Sequence, residues 1–266
     1  MSRSAPELFA KRRPGAPAPY FRWEAAGLEW LAAAGGCPVP SVRKVGTDTL
    51  IIDRIEPAVP DAAAAARFGR DLATTHAAGA GCFGAPPDGW PTNEPGFIAD
   101  LPLPVGRWAD FGPFYAEARI EPYLRRLNDV GTARRGVFDA LLRALADRAS
   151  GITGPPCAPA RLHGDLWSGN VVFGRAGDEG EVRGWLIDPA AHGGHPETDL
   201  AMLALFGLRG WPDVVAGYGE IGPLPEGWRS RVPLHQVHPL LVHAVLFGGG
   251  YLDQAVSAAR DALRRG

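Results

Sequence analysis

The residues best suited to chemistry lie in the segment RLHGDLWSGNVVF, residues 161–173. Asp165 is followed five positions later by Asn170, and a predicted strand beyond them ends in Asp188, 18 residues after Asn170. A carboxylate can orient a hydroxyl group and accept its proton, and Asn and Asp supply the oxygen ligands that Mg²⁺ prefers. Both residue types also favour turns, so the segment alone is compatible with a simple hairpin. The strand-terminal Asp188 in the same order favours a catalytic loop.

This order of residues is the one used for phosphoryl transfer from ATP. In kinases an Asp orients the attacking hydroxyl, an Asn on the same loop holds Mg²⁺, and a later Asp holds the Mg²⁺ on the phosphates. Kinases also need a cation on a strand and an acid on the next helix. Lys11 and Glu24 occur in that order, although a surface Lys and a solvated helical Glu would look the same in sequence. Only two of the 27 basic residues are Lys, which favours a functional role for Lys11.

The elements that must position these residues predict an α+β, two-lobed, protein-kinase-like fold. Residues 1–56 form a small nucleotide-binding N-lobe, and residues 57–266 form a mostly helical C-lobe with the catalytic loop, metal site and substrate site. In the N-lobe we predict strands at 6–11, 42–46 and 49–53 and a helix at 20–35. Prolines in DRIEPAVP, residues 53–60, mark the boundary between the lobes. The backbone of Asp53, Arg54 and Ile55 is placed to read the adenine edge.

The C-lobe pattern predicts a helix at 61–79 with Asp61 as its N-cap, then an irregular loop at 82–107. Further helices are predicted at 111–129, kinked or ended by Pro122, and at 136–150. Strands follow at 160–162, 170–173 and 182–188. The last helices are predicted at 197–207, 212–219, 235–248 and 251–264.

Composition excludes several classes of protein. Hydrophobic residues make up 46% of the chain, charged residues 21%, and the net charge is −2, so neither nucleic acid nor a membrane is expected as a partner. The isolated Cys37, Cys82 and Cys157 suggest neither a disulfide framework nor a metal site and favour the cytoplasm. The sequence carries no signal for the oligomeric state.

Three stretches resemble the fructosamine kinase (ketosamine 3-kinase) family: LHGDLWSGNVVF, WLIDPAAHGGHPETDLAMLALFG, and KRR followed by FRWEAAGLEWL. This family belongs to the aminoglycoside phosphotransferase and choline kinase group, which has a protein-kinase-like fold. Trp167, directly after HGDL, separates it from the aminoglycoside enzymes, where a Trp is not the rule. The resemblance spans nearly the whole chain.

The resemblance implies a role for each matching residue. Asp165 would be the catalytic base, Asn170 and Asp188 the Mg²⁺ ligands, Lys11 the phosphate-contacting residue and Glu24 its partner. Trp167 would form a sugar-facing wall, with its alternative a loop-anchoring core residue. His195 and Glu197 lie in the matching segment and are weaker substrate-site candidates, since Glu197 can equally be an acid favoured by a helix N-terminus.

The implied activity is ATP-dependent phosphorylation of a sugar hydroxyl, at O3, of small or protein-bound ketosamines such as ribulosamine and fructosamine adducts. That reaction would serve deglycation and would require ATP and Mg²⁺. The alternatives are a kinase for an aminoglycoside or another small alcohol, or a degenerate, non-catalytic binding protein of the same fold.

The sequence departs from the family at its start. Family members begin with a glycine- and serine-containing hairpin over the ATP phosphates, before the strand that carries the Lys. Here Lys11 is preceded by only ten residues, MSRSAPELFA, which are too few for two strands and a turn. We therefore expect a truncated N-lobe with an unpaired strand edge, either because a misplaced start codon leaves a fragment of a competent kinase or because the protein is degenerate. Retention of all five polar residues favours the fragment.

Overall fold

A computed structural model describes residues 7–175 and 180–265; residues 1–6 of the predicted N-lobe lie outside these ranges. Three antiparallel strands, β1 (Leu8–Arg12), β2 (Val42–Val45) and β3 (Thr49–Asp53), form a sheet in the order β1-β3-β2. Helix α1 (Tyr20–Ala32) packs on this sheet and buries Phe21 and Leu28 against Leu50 and Ile52. The alternation in TLIID places Leu50 and Ile52 on one face, as a half-buried strand requires.

The predicted strands of this region are confirmed. Strand β1 has its only described partner in β3, so it lies at the edge of the described sheet. Leu8 and Phe9 are correspondingly exposed, at 55% and 49%. Helix α1 ends three residues earlier than predicted, at Ala32, and Gly35 takes a left-handed backbone conformation after it.

The remaining part of the chain is mostly helical. The short strand β4 (Glu56–Pro57) leads into α2 (Ala62–Ala77). Asp61 caps α2 as predicted, because its carboxylate accepts a hydrogen bond from the Ala64 N–H at 2.8 Å. The other helices are α3 (Phe111–Phe114), α4 (Glu121–Leu124), α5 (Thr132–Ala146), α6 (Glu197–Phe206), α7 (Trp211–Ile221), α8 (Trp228–Phe247) and α9 (Tyr251–Arg265).

The predicted helix at 111–129 is interrupted as its proline suggested. A π-helical turn, Tyr115–Ile120, separates α3 from α4. Pro122 lies in the first turn of α4, directly after the π-helical turn. Its missing N–H and its ring disfavour a regular α-helical turn immediately before it. The helical run ends at Leu124.

Two features of the helical part were not predicted. Within the segment assigned as irregular, β5 (Gly96–Ile98) and β6 (Leu101–Leu103) form a hairpin, which Trp23 of α1 holds through a hydrogen bond from its Nε1 to the Phe97 carbonyl at 2.9 Å. Strand β10 (His192–Gly194) pairs with β7 (Ala160–Leu162). The chain continues from residues 163–170 into β8 (Val171–Arg175), which pairs antiparallel with β9 (Arg183–Leu186). The β10–β7 pairing and the contact of the hairpin with α1 join partners distant in sequence, so no local pattern reveals them.

Among the described helices, none is both long and apolar enough to cross a membrane.

Candidate active site

The candidate catalytic loop connects β7 to β8 and ends in a tight turn, Ser168–Asn170. Gly164 opens the loop with a backbone φ of +82°, and a Cβ atom at this position would lie 2.2 Å from the Ala190 carbonyl oxygen. Only glycine meets both conditions without strain. The loop therefore turns sharply and passes close to the segment that follows Asp188.

A buried acid on α6 fixes the start of this loop. Asp199 accepts hydrogen bonds from the backbone N–H groups of His163 at 2.8 Å and Gly164 at 3.0 Å. His76 contacts the same carboxylate through Nε2 at 3.2 Å, and Tyr218 contacts the Nδ1 of His76 at 2.8 Å. Burial alone would raise the pKa of Asp199, but its hydrogen bond from His76 and the neighbouring charges lower it overall. Asp199 is thus an ionised anchor for the backbone just before Asp165.

Asp199 was not predicted to hold the loop, because an Asp at this position equally suits the first turn of a helix. The available signal was an Asp in the otherwise apolar run DLAMLALF of α6.

His163 links the loop to the strand that carries Asp188. Its Nδ1 accepts a hydrogen bond from the Asp165 N–H at 3.2 Å, and its Nε2 donates to the Ile187 carbonyl at 2.8 Å. Complete burial lowers the pKa of His163. The imidazole is therefore neutral and structural, with its proton on Nε2.

Asp165 and Asn170 lie side by side at the end of the loop. The Asn170 Nδ2 atom donates to the Asp165 carbonyl oxygen at 2.8 Å and to its carboxylate Oδ2 at 3.1 Å. Burial raises the pKa of Asp165 to about 7. The hydrogen bond from Asn170 opposes this shift, and the charges of Asp188 and Asp199 add to it. A carboxyl with a pKa near neutrality can exchange a proton with substrate at physiological pH.

Asp188 has a left-handed backbone, with φ of +56°, which is uncommon for a residue other than glycine. Strain of this kind concentrates at functional sites. Its carboxylate Oδ1 lies 2.5 Å from the Lys11 Nζ. The unusual backbone turns this side chain toward the strand-rich region.

Lys11 bridges two acids from different parts of the chain. Its Nζ lies 2.5 Å from the Glu24 Oε1 as well as from Asp188. Burial alone would lower the pKa of Lys11, but the two carboxylates raise it overall, so its charge is retained. Burial raises the pKa of Glu24, although Lys11 opposes that shift. The strand Lys, the helix Glu and the strand-terminal Asp therefore meet at one point.

All five polar residues line a single cavity of about 280 Å³. Its aromatic walls are Trp167 from the catalytic loop, Tyr20 and Trp23 from α1, and Phe97 from the β5–β6 hairpin. Phe97 was missed from sequence because the hairpin was missed, and Tyr20 and Trp23 were missed because helical spacing does not show which side of α1 faces the cavity. The cavity is lined by carboxylates that Lys11 bridges and by aromatic side chains. Such a lining suits a polar ligand that also has an apolar face, such as a sugar.

The predicted adenine-reading residues lie elsewhere. Asp53, Arg54 and Ile55 line a second cavity, of about 560 Å³, together with residues from 36–41 and the end of the β8–β9 hairpin. The backbone N–H groups of Asp53 and Arg54 already donate to the carbonyls of Ser41 and Glu7. Among the described residues the Ile55 N–H has no backbone acceptor.

The structure does not bring His195 and Glu197 to the catalytic cavity. Both are buried in a separate cluster in which the Glu197 carboxylate accepts two hydrogen bonds from Arg231, at 2.5 and 3.0 Å. Burial alone would raise the pKa of Glu197, but His235 and Arg231 lower it to about 2. The arrangement ties α6 to α8.

The donor set beside Asp165 fits a magnesium ion. Both hydrogen bonds of the Asn170 side chain use its nitrogen, so they do not engage its amide oxygen. Asp188 is 45% exposed at its side chain and bonds Lys11 through one carboxylate oxygen only. An amide oxygen and a carboxylate oxygen next to open space are the kind of partial ligand set that Mg²⁺ takes from proteins.

Solved structures with the same fold place the chain in a class. It superposes on a choline/ethanolamine kinase family protein from Mesorhizobium loti with a TM-score of 0.60 at 16% identity, covering 99% of this chain and 88% of that one. At that identity the likeness shows the fold alone. It confirms the predicted protein-kinase-like α+β class.

Sequence relatives are more specific. A family model described as fructosamine kinase matches residues 1–265. A Thermus thermophilus protein named probable ketoamine kinase is 36% identical over 253 residues, covering 91% of this chain and 84% of the relative. A Thermobifida fusca crystal structure named for a fructosamine-3-kinase is 45% identical, with a TM-score of 0.82 over 97% of this chain and 86% of that one. The fold and site thus define a protein-kinase-like phosphotransferase. Within that class, the chain belongs to the fructosamine kinase family.

Proposed function

We propose that this protein transfers the γ-phosphoryl group of ATP to a sugar hydroxyl, O3, of a ketosamine. Membership of a kinase family implies ATP as phosphoryl donor. The observation that carries the proposal is the meeting of Lys11, Glu24 and Asp188 beside the Asp165–Asn170 pair, in one cavity with a Trp167 wall. Lys11 and Asp188 are 177 residues apart in the chain, yet the Lys11 Nζ lies 2.5 Å from the Asp188 Oδ1. The fold brings these two side chains together.

In the proposed reaction Asp165 accepts the proton of the attacking hydroxyl as its oxygen forms a bond to the γ-phosphorus. The bond between the γ-phosphorus and the β,γ-bridging oxygen breaks, and ADP leaves with that electron pair. Asn170 holds the Asp165 carboxylate in place by its 3.1 Å hydrogen bond. Lys11 supplies the positive charge for the phosphates, and Glu24 orients it.

Asn170 and Asp188 are the residues that would hold Mg²⁺. When bound, the ion neutralises the charge on the phosphate oxygens and helps to fix their position. The Ile55 N–H, beside the proposed boundary between the lobes at residues 56–57, is the group we assign to the adenine edge. Trp167 is placed to stack on the sugar, because an aromatic face complements the apolar face of a carbohydrate.

The cellular role we propose is deglycation in the cytoplasm. Enolisation of a 3-phosphorylated ketosamine across C1 and C2 lets the phosphate leave from C3 with its bonding electrons, and water then hydrolyses the resulting C1 imine, which frees the amine. Cys37, Cys82 and Cys157 are all free thiols, as a reducing compartment requires.

The decisive experiment is a phosphoryl-transfer assay with ribulosamine-lysine and fructosamine-lysine, ATP and Mg²⁺. The product is analysed by ³¹P and ¹³C NMR to locate the phosphate. We expect phosphate on O3 and no turnover of an aminoglycoside or choline. Transfer to the antibiotic or to choline, but to neither ketosamine, would refute the proposed substrate class.

A matched pair of variants separates catalysis from folding. Asp165→Asn should reduce turnover by about a thousandfold or more, since it removes the proton acceptor. Asp139→Asn, an exposed Asp on α5, should leave turnover unchanged. Wild-type turnover in Asp165→Asn would exclude the assigned base.

A further inference from the structure

A continuous row of aromatic rings runs outward from the wall of the catalytic cavity. Trp167 meets Phe206 at the end of α6 edge-on, with ring centroids 6.2 Å apart. The Phe206 ring centroid lies 4.9 Å from that of His243 of α8. His243 in turn contacts Phe247 at 5.5 Å and Tyr251 at 5.1 Å. We call these five residues the aromatic row.

The inner end of the row is held rigidly. A Cβ atom on Gly169 would lie 2.2 Å from the six-membered ring of Trp167, so this ring lies directly on the glycine backbone. The Phe206 ring supports its edge. The remaining surface of Trp167, 41% of the residue, is exposed beside the cavity. Trp167 thus belongs both to the cavity wall and to the surface outside it.

The outer end of the row is exposed without a structural reason. Among the described residues the exposed large aromatic side chains are Phe9, Trp167 and Phe247, and two of these three belong to the row. Phe247 is 67% exposed. His243 donates from Nδ1 to the Pro239 carbonyl at 2.8 Å, and burial lowers its pKa, so it joins the row as a neutral ring. Exposed apolar surface that continues from a catalytic cavity is typical of a ligand-binding surface.

The size of the cavity indicates which part of a substrate that surface would bind. The cavity volume of about 280 Å³ lies just below the range of roughly 300–1,000 Å³ found for sites that enclose a whole drug-sized ligand. It accommodates a sugar but not a sugar joined to a long amine. The Lys11–Asp188 side of the cavity is assigned to the phosphates, and the α1 side is closed by Trp23, which is 1% exposed. Among the aromatic walls, Trp167 is the one that is exposed, so we place the amine half of the ketosamine over Trp167.

We propose that the aromatic row is the subsite for the amine half of the substrate and selects ketosamines whose amine carries an apolar or aromatic group. This inference rests on the proposed function and adds to it the part of the substrate that determines specificity. Trp167 contacts the sugar and the first carbons of the amine. Phe206, His243 and Phe247 contact the outer part of the amine.

The test compares two ketosamines that share one sugar and one secondary ammonium group. One is made from hexylamine and the other from 6-phenylhexylamine, whose chain carries the phenyl group beyond Trp167 toward the outer part of the row, so that they differ only in the phenyl group. We expect the wild-type protein to favour the phenylhexyl adduct in kcat/KM by about three- to tenfold, the range that one aromatic contact provides. We expect Phe247→Ala to remove that preference by raising KM for the phenylhexyl adduct, with kcat and the hexyl adduct unaffected.

Two control variants accompany it. Phe247→Tyr keeps the ring and should keep the preference. Ile221→Ala removes an apolar side chain of similar exposure, 52%, from the end of α7 and should also keep it. Equal kcat/KM for both adducts in the wild type, or equal losses for both in Phe247→Ala, would overturn the role of the row while leaving the ketosamine kinase activity established. Phosphorylation of neither adduct would overturn both.

Discussion

At the scale of single residues, Asp165, which we propose as the catalytic base, is subject to two opposed demands. It must be ionised to accept a proton, yet burial raises its pKa to about 7. The ionised form is therefore destabilised in the folded protein, and the hydrogen bond from Asn170 offsets only part of that effect. Groups arranged in this way typically reduce stability in favour of activity.

This opposition predicts that Asp165→Asn stabilises the protein in a pH-dependent way. The folded-state pKa of Asp165 lies above the unfolded value. The loss of folding free energy caused by ionising Asp165 therefore begins above about pH 4, grows to about pH 7 and is complete above it. We expect the free energy of unfolding to rise by about 4 kcal/mol at pH 8 and by less than half as much at pH 5. Urea unfolding at both pH values measures this. A constant difference would show that the pKa is not raised.

Lys11 gives a second prediction at the same scale. Lys11→Met leaves the Glu24 and Asp188 carboxylates without their shared cation. We expect the KM for ATP to rise at least about tenfold and kcat to fall about a hundredfold, because phosphate positioning and charge stabilisation are both lost. Steady-state kinetics with varied ATP checks this. Lys44→Met, at the only other lysine of the chain and exposed on β2, is the matched control and should behave as wild type.

At the scale of elements, the proposed catalytic loop is positioned by a helix that lies outside the candidate substrate cavity. Asp199 on α6 accepts two backbone N–H groups at the start of the loop, and His76 on α2 supports its carboxylate. Tyr218 on α7 completes the chain of hydrogen bonds through His76. Three helices thus hold one backbone turn, which is a stable way to fix a site built on a loop.

Substitutions along this series of hydrogen bonds should reduce stability by different amounts. Asp199→Asn removes the charge and one acceptor from a fully buried position, so we expect a loss of about 3 kcal/mol in stability together with a lower kcat. Tyr218→Phe removes only the outer hydrogen bond and should cost about 1 kcal/mol without changing kcat. Denaturant unfolding and kinetics on both variants test the order. Equal losses would show that the anchor is not Asp199.

At the scale of the whole molecule, the strand-rich region and the helical part meet through apolar packing, which includes Trp23 and Trp30 of α1, and through charged contacts at the candidate site. Lys11 from β1 reaches Asp188 after β9, which lies in the helical part of the chain. A nucleotide bound at this junction would contact both parts and stabilise them together.

Ligand-linked unfolding tests this coupling. At about a hundred times its Kd, Mg²⁺ with ATP should add about 2.7 kcal/mol, and the melting temperature should rise by about 5–10 °C. ATP with excess EDTA should give a clearly smaller shift, and Asp188→Asn should make the two shifts similar. A full shift in EDTA would contradict the assigned metal ligands.

The sequence by itself determined the parts of this protein that depend on local rules. The strand TLIID, the Asp61 cap and the helix after it follow from alternation, capping and helical periodicity, which act over a few residues. The order of Lys11, Glu24, Asp165, Asn170 and Asp188 was also recognisable, since each residue stands at a predicted strand end, helix or loop. The family follows from the same motifs.

Only the tertiary structure decided which residues share a space. It brought Lys11 to Asp188, placed the β5–β6 hairpin against Trp23, and buried His195 and Glu197 away from the cavity. It also separated Asp53–Ile55 into a second cavity and joined Trp167 to Phe247 through rings from three elements. Most of these contacts link residues tens to hundreds of positions apart. They arise from the packing of whole elements, for which a single sequence carries no local signal.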